Sequence, residues 1–597
     1  MVCPAPLTAP RPAGSMLARL FTLSPSVEEH AAPSGKTVMQ RYDLIALNCR
    51  YSHSCLALFY VRQELERNLP AAGVDLHQFT INDPYYATLL RLAESRADAL
   101  FFSVYIWNGG YVERLVRDLA RIQPARPLVL GGPQAEVLAG LPPCCTVIQG
   151  EIEGLGGKFY HDLAAGSLQP FYRAEGGHPF PSPYRASDFS ELLHNRQVYY
   201  ESSRGCPFRC AYCLSAVQRG VRHKELSQVE QELARILEHE PLIIKFVDRT
   251  FNDNPERALA IWRWLAVQSR PTRFHFEIAP DRFSEEMFSF LADLAPGRFQ
   301  FEIGIQSTNP ETLAAINRSM DVDVAMENIR RLAALNTVHL HVDLILGLPF
   351  DTRKNFRRSL NQVFSLGAHH IQMGLLKVLP TTPISLEADR YGLLFCEQPP
   401  YEILATRWLP QPELAELYAL GECVESFCNN RYSPTLWRYL RKNREEPFLF
   451  FQRLLAVCQQ HGFFDLSVTQ ELQARMLCIL AQGRADRDLL LELLRYDWLC
   501  CGHRFLPAFL EARPLSELRA ELRDRLPPSM DGSYSMRGRS EFLKRGVFLE
   551  LSAFAMAETG LAQEAQAATI CFLPEVTAGG GQRPQVVIMP ERLRGEA

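Results

Sequence analysis

The sequence lacks any long apolar run. No stretch of about 18 consecutive apolar residues occurs, which excludes a membrane-spanning helix of the usual kind. The opening residues, MVCPAPLTAPRPAGSML, lack the apolar core of a signal peptide, so we do not expect secretion. We therefore expect a cytoplasmic protein whose sixteen cysteines are reduced, and in which a tight cysteine cluster binds metal rather than forming disulfides.

The net charge is also small. The chain has 63 Lys and Arg residues against 67 Asp and Glu residues, a formal charge of −4, which gives no general reason to expect a nucleic-acid or membrane partner. Apolar residues make up 47% and charged residues 22%, which is ordinary for a globular protein with large cores. The length of 597 residues corresponds to about three to four domains.

Short apolar segments alternate with helical segments over residues 41–165, after a Pro- and Ala-rich stretch (1–40) that we expect to be a disordered tail. This alternation predicts βαβ units and a doubly wound, Rossmann-like parallel sheet. A ligand of such a sheet should bind at the carboxyl ends of the strands. The predicted strands are 42–47, 74–81, 98–105, 127–132 and 145–150.

A second alternating series follows a Pro-, Gly- and Ser-rich segment (166–195) that we interpret as a linker. Six βα units over residues 196–395 predict a partial TIM-type (β/α)6 barrel, with its chemistry at the carboxyl ends of the strands. Residues 396–570 are predicted to be mostly α-helical, and residues 571–597 to be a second tail. The predicted barrel strands are 197–203, 242–248, 274–279, 299–307, 338–349 and 369–380.

Three cysteines stand close together in YESSRGCPFRCAYCLSA (200–216), at Cys206, Cys210 and Cys213. They follow the first strand of the second series, which places them at the top of the predicted barrel. A structural zinc ion or a simple electron-transfer cluster takes four protein ligands, whereas a [4Fe–4S] cluster held by three thiolates leaves one iron open to a small molecule. A zinc site with a distant fourth ligand, or three buried thiols, are the alternatives.

The Cys-x3-Cys-x2-Cys spacing, with the aromatic Tyr212 before the third cysteine, resembles the radical S-adenosylmethionine enzymes. This resemblance implies that Cys206, Cys210 and Cys213 hold a [4Fe–4S] cluster whose open iron binds the amino and carboxylate groups of S-adenosylmethionine. Reductive cleavage would then give a 5′-deoxyadenosyl radical, so the cofactor supplies the difficult chemistry.

Three later segments, FEIAPDR (276–282), EIGIQS (302–307) and DLILGLP (343–349), resemble strand-end motifs of the coproporphyrinogen-dehydrogenase-like branch of those enzymes. A zwitterionic sulfonium ligand needs carboxylates near its positive groups and Arg near its carboxylate. The family often has Gly-Gly-Glu after the second strand, but this chain has KFVDRTFNDN (245–254), where Asp248 or Arg249 would have to substitute. The residues implied to bind S-adenosylmethionine are Glu277, Gln306, Arg318 and Asp343, with Gly347 and Pro349 shaping the adenine wall.

A doubly wound domain ahead of such a barrel resembles the cobalamin-binding domain of one large class of these enzymes. The segments SVYIWN (103–108), LGGPQAEV (130–137) and QGEIEG (149–154) follow the third, fourth and fifth strands, where that class places loops around the corrin and its nucleotide tail. The resemblance implies contacts from Ser103, Gly131, Gly132 and Gly150, and glycine permits close approach of a bulky ligand. A Rossmann-like domain that binds another ligand, or none, is the alternative.

The segment DLHQFT (75–80) looks like the Asp-x-His-x-x-Gly motif of enzymes whose lower axial cobalamin ligand is histidine, but it ends in Thr and lies on the second strand. NCRYSHSCLAL (48–58) follows the first strand instead, so we predict no histidine ligand and interpret His53 as an ordinary loop histidine. Together with SVYIWN and the cysteine motif, NCRYSHS resembles an uncharacterised subgroup that carries a C-terminal helical domain of unknown function.

The resemblance implies an enzyme that methylates an unactivated carbon of an unknown small-molecule or peptide substrate and takes electrons from a donor such as flavodoxin or ferredoxin. No nucleic-acid partner is expected, and no further catalytic residue is assigned. One alternative is an RNA-modifying methylthiotransferase, whose second cluster would need Cys49, Cys55 and Cys144. The others are a radical rearrangement without methyl transfer and a non-enzymatic cobalamin or redox sensor.

Overall fold

The computed structural model describes residues 39–216, 220–511, 513–526, 538–561, 566–576 and 582–589. Two parallel α/β units are followed by a mainly helical unit and a small antiparallel sheet, which confirms the predicted fold class. The predicted tail over residues 1–40 lies outside the described residues except for its last two positions. No helix in these ranges is both long and apolar enough to cross a membrane.

The first unit is a six-stranded, fully parallel sheet with the order β2-β1-β3-β4-β5-β6. Strand order reverses between β1 and β3, and the carboxyl ends of these strands mark the switch point where doubly wound sheets bind ligands. The segment predicted as a linker contributes the sixth strand and a helix. The elements are β1 (Arg41–Asn48), α1 (Leu56–Asn68), β2 (Gly73–Thr80), α2 (Tyr85–Ala93), β3 (Ala99–Ser103), α3 (Gly109–Ile122), β4 (Leu128–Gly131), β5 (Cys145–Gln149), α4 (Gly157–Ala164), β6 (Phe171–Arg173) and α5 (Ala186–Glu191).

Helix α3 shows why these segments fold as they do. Its apolar residues Val112, Leu115, Val116 and Leu119 recur at helical spacing and are all buried against the sheet. Burial of each such side chain contributes roughly 1.5–3 kcal/mol. The opposite face carries charged residues such as Glu113 and Arg117, which pair with each other at 2.7 Å.

The second unit is a partial barrel of six parallel strands in the order β7-β10-β11-β12-β13-β14. A short antiparallel hairpin, β8 and β9, interrupts the series after its first strand. The elements are β7 (Val198–Tyr200), β8 (Ser203–Gly205), β9 (Val221–His223), α6 (Leu226–Leu237), β10 (Ile243–Phe246), α7 (Pro255–Ala266), β11 (Arg273–Ile278), α8 (Glu285–Ala292), β12 (Phe299–Gln306), α9 (Pro310–Ala315), α10 (Val322–Leu335), β13 (His339–Leu346), α11 (Arg353–Ser365), β14 (His370–Leu375), α12 (Pro383–Leu386), α13 (Ala388–Tyr391), β15 (Leu394–Phe395) and β16 (Ile403–Ala405).

An aromatic core holds the barrel strands to the helices outside them. Trp262 of α7 is fully buried, with its ring centroid 5.1 Å from that of Phe301 and 6.0 Å from that of Phe276. Aromatic pairs at this spacing contribute about 0.5–1.5 kcal/mol beyond the burial of their area. This packing fixes which face of β11 and β12 turns outward, and the alternate residues therefore face the barrel interior.

The third unit is helical, as predicted, but it ends in an unpredicted three-stranded antiparallel sheet of order β17-β18-β19. The predicted helical region to residue 570 and tail from 571 therefore do not match the structure at this end, because β18 crosses that boundary and pairs with both β17 and β19. The elements are α14 (Gln411–Cys423), a π-helical turn (Val424–Cys428), α15 (Pro434–Lys442), α16 (Pro447–Gln460), α17 (Gln470–Ala481), α18 (Arg487–Cys500), α19 (Leu515–Arg525), α20 (Arg539–Arg545), β17 (Val547–Leu551), α21 (Ala553–Thr559), β18 (Ala568–Val576) and β19 (Gln582–Ile588).

The helical unit packs along the last barrel strand. Asn429, directly after the π-helical turn, accepts a hydrogen bond from Ile371 N and donates one to Ile371 O, both at 2.9 Å. Glu446, at the start of α16, pairs with Arg357 of α11. The barrel and the helical unit are therefore joined through both side-chain and main-chain contacts.

Candidate active site

The three motif cysteines lie on the loop that begins where β8 ends. Gly205 precedes them with φ +99°, and a Cβ atom there would lie 2.1 Å from Gly220 O on the other strand of the hairpin. Only glycine fits this position, because both the conformation and the space exclude a side chain. Cys210 is buried, Cys206 and Cys213 are partly exposed, and Cys213 N donates to Cys210 O at 3.0 Å. The loop is thus folded back on itself between its second and third cysteines.

Polar groups surround these sulfurs. Thr250 Oγ1 lies 3.5 Å from Cys206 Sγ, and Arg318 donates to Cys210 Sγ at 3.5 Å. Burial raises the pKa of the Cys206 thiol, and the neighbouring Cys213 and Cys210 add to that effect. Within the described ranges, no group of three His, Cys, Asp or Glu side chains is arranged around a single metal ion. Three thiols on one loop, with donors directed at two of them, fit the thiolate ligands of an iron–sulfur cluster.

The structure brings Gln306 and Arg318 to the same place. Gln306 ends β12 in the left-handed region (φ +69°), at a register shift against β13, and such strain is typical of functional sites. The Arg318 guanidinium donates to Gly304 O. Gln306 Oε1 and Arg318 Nε are buried without a hydrogen-bond partner, as groups that await a polar ligand would be. Tyr212 lies beside Arg318 and Cys210, and burial raises its pKa.

Two predicted carboxylates, Glu277 on β11 and Asp343 on β13, share one environment. Burial raises the pKa of Glu277 to about 7, although the positive charge of Arg249 acts in the opposite direction. Burial also raises the pKa of Asp343, against the opposing effect of His341, whose Nε2 lies 3.2 Å from Asp343 Oδ1. Both carboxyl groups therefore have the desolvated surroundings typical of ligand sites.

Asp248 and Arg249 occupy the position of the missing Gly-Gly-Glu stretch, and their environments differ. Asp248 is buried and accepts hydrogen bonds from Ser202 N, Ser202 Oγ and Ser203 Oγ at 2.6–2.9 Å, so its carboxylate holds the start of β8. Arg249 is exposed and lies near Glu277. Of the two, only Arg249 has a side chain available to a ligand.

The barrel interior contains a polar row that the sequence reasoning missed. Along β12 the residues Gln300, Glu302, Gly304 and Gln306 are partly exposed, while the intervening Phe and Ile residues are buried. His275 Nε2 lies 3.1 Å from Glu302 Oε2. Burial disfavours the charged form of Glu302, but the hydrogen bond and charge of His275, together with His341 and Lys245, hold its pKa at about 2.

This row had a visible signal in the sequence. Strands of a fully covered parallel sheet are usually continuous hydrophobic runs, whereas FQFEIGIQ and HLHVDLIL alternate polar with apolar residues. Such alternation in a parallel barrel strand indicates an interior that faces a polar ligand rather than a packed core. The missed residues are Lys245, His275, Glu302, His341 and His370.

In the first unit, the predicted glycines and Ser103 lie at the carboxyl edge of the sheet, with different surroundings. Gly131 opens on free space, since no described atom lies within 4 Å of a Cβ built there. Gly132 (φ +106°) packs against Val104, whose carbonyl oxygen would lie 2.6 Å from a Cβ atom, and Gly150 (φ +97°) packs against Ala174. Ser103 is buried. Gly131 is thus the position best placed for close approach of a ligand.

The loop after β1 joins this edge to the barrel. His53 Nδ1 lies 3.1 Å from Tyr199 Oη on β7 and 3.4 Å from Cys49 Sγ. Ser54 Oγ donates to Gln197 O at 2.8 Å. His77 of the misleading DLHQFT segment lies within β2, 3.4 Å from Asp43 Oδ1, and not in a loop at the carboxyl edge. The loop after β1 therefore joins the switch point of the first sheet to the barrel. Its histidine, His53, already contacts Tyr199 and Cys49.

Aromatic residues border the same edge. Tyr105 and Trp107 follow β3 and stack with centroids 4.4 Å apart at 7°, and Trp107 is 46% exposed. Gln134, in the turn after β4, donates to Tyr401 Oη, which precedes β16. The loops after β1 and β4 thus contact later parts of the chain, and the loop after β3 carries aromatic residues at the same edge.

Comparisons with known proteins agree with this geometry. The family model of the Radical SAM superfamily matches residues 200–363, and the family described as a protein of unknown function (DUF4080) matches residues 389–531. The expected resemblance is therefore confirmed: residues 200–363 are similar to the Radical SAM superfamily, and most of the helical unit is similar to a family without assigned function.

Particular relatives refine the class. The chain is 26% identical over 419 residues to 2-(S-pantetheinyl)-carbapenam-3-carboxylate methyltransferase of Streptantibioticus cattleyicolor, which covers 60% of this chain and 61% of that protein. It is 26% identical over 409 residues to the cobalamin-dependent radical SAM methyltransferase TokK of Streptomyces tokunonensis, which covers 58% and 59% of the two chains. The chain thus spans about three-fifths of the length of these curated relatives.

One solved structure has a similar overall fold. The cobalamin-dependent S-adenosylmethionine radical enzyme OxsB, with aqua-cobalamin bound, superposes with a TM-score of 0.55 at 15% identity, over 85% of this chain and 84% of that one. The two chains therefore share a fold over most of their length.

Proposed function

We propose that the protein is a cobalamin-dependent radical S-adenosylmethionine methyltransferase that acts on an unactivated carbon. One observation carries this proposal: the carboxyl edge of the doubly wound sheet lies against the barrel beside the three-cysteine loop. That edge is where such sheets bind ligands, and the top of a barrel is where its chemistry takes place. Two cofactors bound at these places would share one reaction chamber.

In this proposal, the cluster with S-adenosylmethionine supplies a 5′-deoxyadenosyl radical and cobalamin supplies the methyl group. Cys206, Cys210 and Cys213 would hold the cluster. Arg318 and Gln306 would use their unpartnered buried atoms, Nε and Oε1, to bind polar groups of S-adenosylmethionine. The similarity to two methyltransferases, one of them named as a cobalamin-dependent radical SAM methyltransferase, supports the same assignment.

The chain's own residues would position the reactants. Glu277 and Asp343 lie in desolvated positions where a carboxyl group can accept hydrogen bonds from hydroxyl groups or approach a positive charge. Glu302 stays ionised beside His275, and its carboxylate can accept further hydrogen bonds from donors on a bound molecule. The substrate would be a small molecule or peptide that enters the chamber between the barrel and the helical unit.

The reductant in this scheme would be a low-potential donor such as flavodoxin or ferredoxin, and the site of action the cytoplasm. Reduced thiols and an oxygen-sensitive cluster are suited to that compartment. The residues proposed for cobalamin are Ser103, Gly131, Gly132 and Gly150, of which Gly131 adjoins open space.

The methylthiotransferase alternative requires a second cluster in the first unit. Cys49 and Cys55 lie in the loop that follows the carboxyl end of β1. Cys144 directly precedes β5, at the amino edge of the same parallel sheet. Because parallel strands place these two ends on opposite edges, the three thiols cannot converge on one cluster. The geometry therefore favours the methyltransferase proposal.

The test is anaerobic purification from cobalamin-replete cells, followed by quantification of corrinoid, iron and sulfide. We expect about one corrinoid and about four irons per chain, and release of 5′-deoxyadenosine from S-adenosylmethionine under reducing conditions. A Cys206→Ala/Cys210→Ala/Cys213→Ala variant is the matched control: it should lose the iron and still bind corrinoid when hydroxocobalamin is supplied in excess. Four irons without corrinoid, even after reconstitution, would leave the radical chemistry but remove cobalamin from the mechanism.

A further inference from the structure

A group of buried charges connects the two proposed cofactor sites. Arg204 lies on β8, two residues before Cys206, and its side chain is only 11% exposed. Its guanidinium lies 3.1 Å from Glu151 Oε2, 2.9 Å from Glu153 Oε1 and 2.8 Å from Glu201 Oε2. An arginine with this many carboxylate partners has a fixed position.

A second arginine reinforces the first. Arg222 stands opposite Arg204 on β9, and its NH2 group lies 2.6 Å from both carboxylate oxygens of Glu151. The ring of Phe180 lies beneath both guanidinium groups, at 4.4 Å from Arg204 and 5.5 Å from Arg222. The Arg204 side chain is therefore largely shielded from water, whereas that of Arg222 is 34% exposed, and a buried charge left without its partner is strongly disfavoured.

Two of the acidic partners of Arg204, Glu151 and Glu153, belong to the first unit. Glu151 and Glu153 lie in the turn after β5, directly beyond Gly150 and at the carboxyl edge of the first sheet. This turn is held in place, because a Cβ atom at Gly154 would lie 1.7 Å from Glu175 O. We call Arg204, Arg222, Glu151 and Glu153 the interdomain clamp. It ties the hairpin that carries the cysteine loop to a loop that borders the proposed corrinoid site.

We propose that the interdomain clamp is a positioning device that couples the two cofactor sites, so that assembly of the cluster tightens binding of the corrinoid. This inference rests on the proposed function. The units have other attachments, such as the contact of His53 with Tyr199 at 3.1 Å and the bond from Ser54 to Gln197. Loss of the clamp should therefore weaken the coupling between the two cofactor sites without separating the units.

The experiment measures the dissociation constant of hydroxocobalamin by absorbance titration, on full-length protein with the cluster reconstituted and on the same protein without it. For the wild type we expect the two constants to differ about 5–150-fold, the usual range of coupling between sites. Glu153→Gln and Glu151→Gln, which keep size and remove charge, should bring the ratio close to one. Arg204→Lys should retain part of it.

Glu113→Gln, which breaks an exposed ion pair on α3, is the matched control and should keep the wild-type ratio. The iron content of every variant, and its thermal unfolding, show whether the fold is intact. A ratio near one in the wild type, or an unchanged ratio in both clamp variants, would overturn the coupling. Failure of the wild type to bind any corrinoid would instead reject the proposed function, and the coupling with it.

Discussion

Gly205→Ala should prevent the cysteine loop from closing. Two costs combine at this position: a positive φ of +99°, and a Cβ atom 2.1 Å from Gly220 O. The conformation alone costs on the order of 1–3 kcal/mol. Because the obstructing atom belongs to the backbone of the paired strand, the hairpin must also move apart. We expect a total of about 3–5 kcal/mol, enough to reduce the population of closed loops at least a hundredfold.

Gly220→Ala provides the comparison within the same hairpin. Gly220 also has a positive φ, +78°, but a Cβ atom there meets no described atom within 4 Å. It should therefore show only the conformational cost, roughly 1 kcal/mol or somewhat more. The assay is iron and sulfide per chain after reconstitution at limiting iron, beside thermal unfolding of both variants. Equal iron content in the two variants would refute the argument that the loop depends on the close approach at Gly205.

Three further predictions concern the barrel and its contacts. Because the folded-state pKa of Glu277 is raised to about 7, its contribution to stability is present below the ordinary carboxyl pKa and is lost as pH rises through about 7. Glu277→Gln should make thermal unfolding of the cluster-free protein less dependent on pH between about 5 and 8, and an unchanged slope would contradict this. Trp262→Ala should lower the free energy of unfolding in urea by about 3–5 kcal/mol, and a loss below about 1 kcal/mol would show that the aromatic core is not as tightly packed as described. Asn429→Ala should speed hydrogen exchange of the Ile371 amide by about tenfold, since that amide loses its partner, and protection equal to the wild type would rule the contact out.

Most of the architecture could be predicted because each βα unit carries its own pattern. The strand FQFEIGIQ and the amphipathic helix α3 are recognisable without reference to any other part of the chain. The antiparallel sheet β17–β19 has no such local signal. Its last two strands flank a Gly-rich segment, and all three gain stability only by pairing with one another.

The candidate site divides in the same way. The cysteine spacing is local, so it could be predicted from the sequence. The unpartnered atoms of Gln306 and Arg318, the pair of His275 with Glu302, and the Arg204 clamp depend on which strands become neighbours. Residue type alone cannot predict these contacts, because the same Arg or Glu on the outer face would be an ordinary solvated charge.

The contact between Asn429 and the last barrel strand bears on whether the barrel is stable without the helical unit. An incomplete barrel has two open borders, and a border strand with free amide and carbonyl groups is a template for another chain. At Ile371 the side-chain amide of Asn429 takes the place of a neighbouring strand. A fragment that ends before the helical unit would expose this border, and we would expect such a fragment to self-associate through strand addition. The helical unit would then have a second effect, which is to keep the border strand of the barrel from pairing with another copy of the chain.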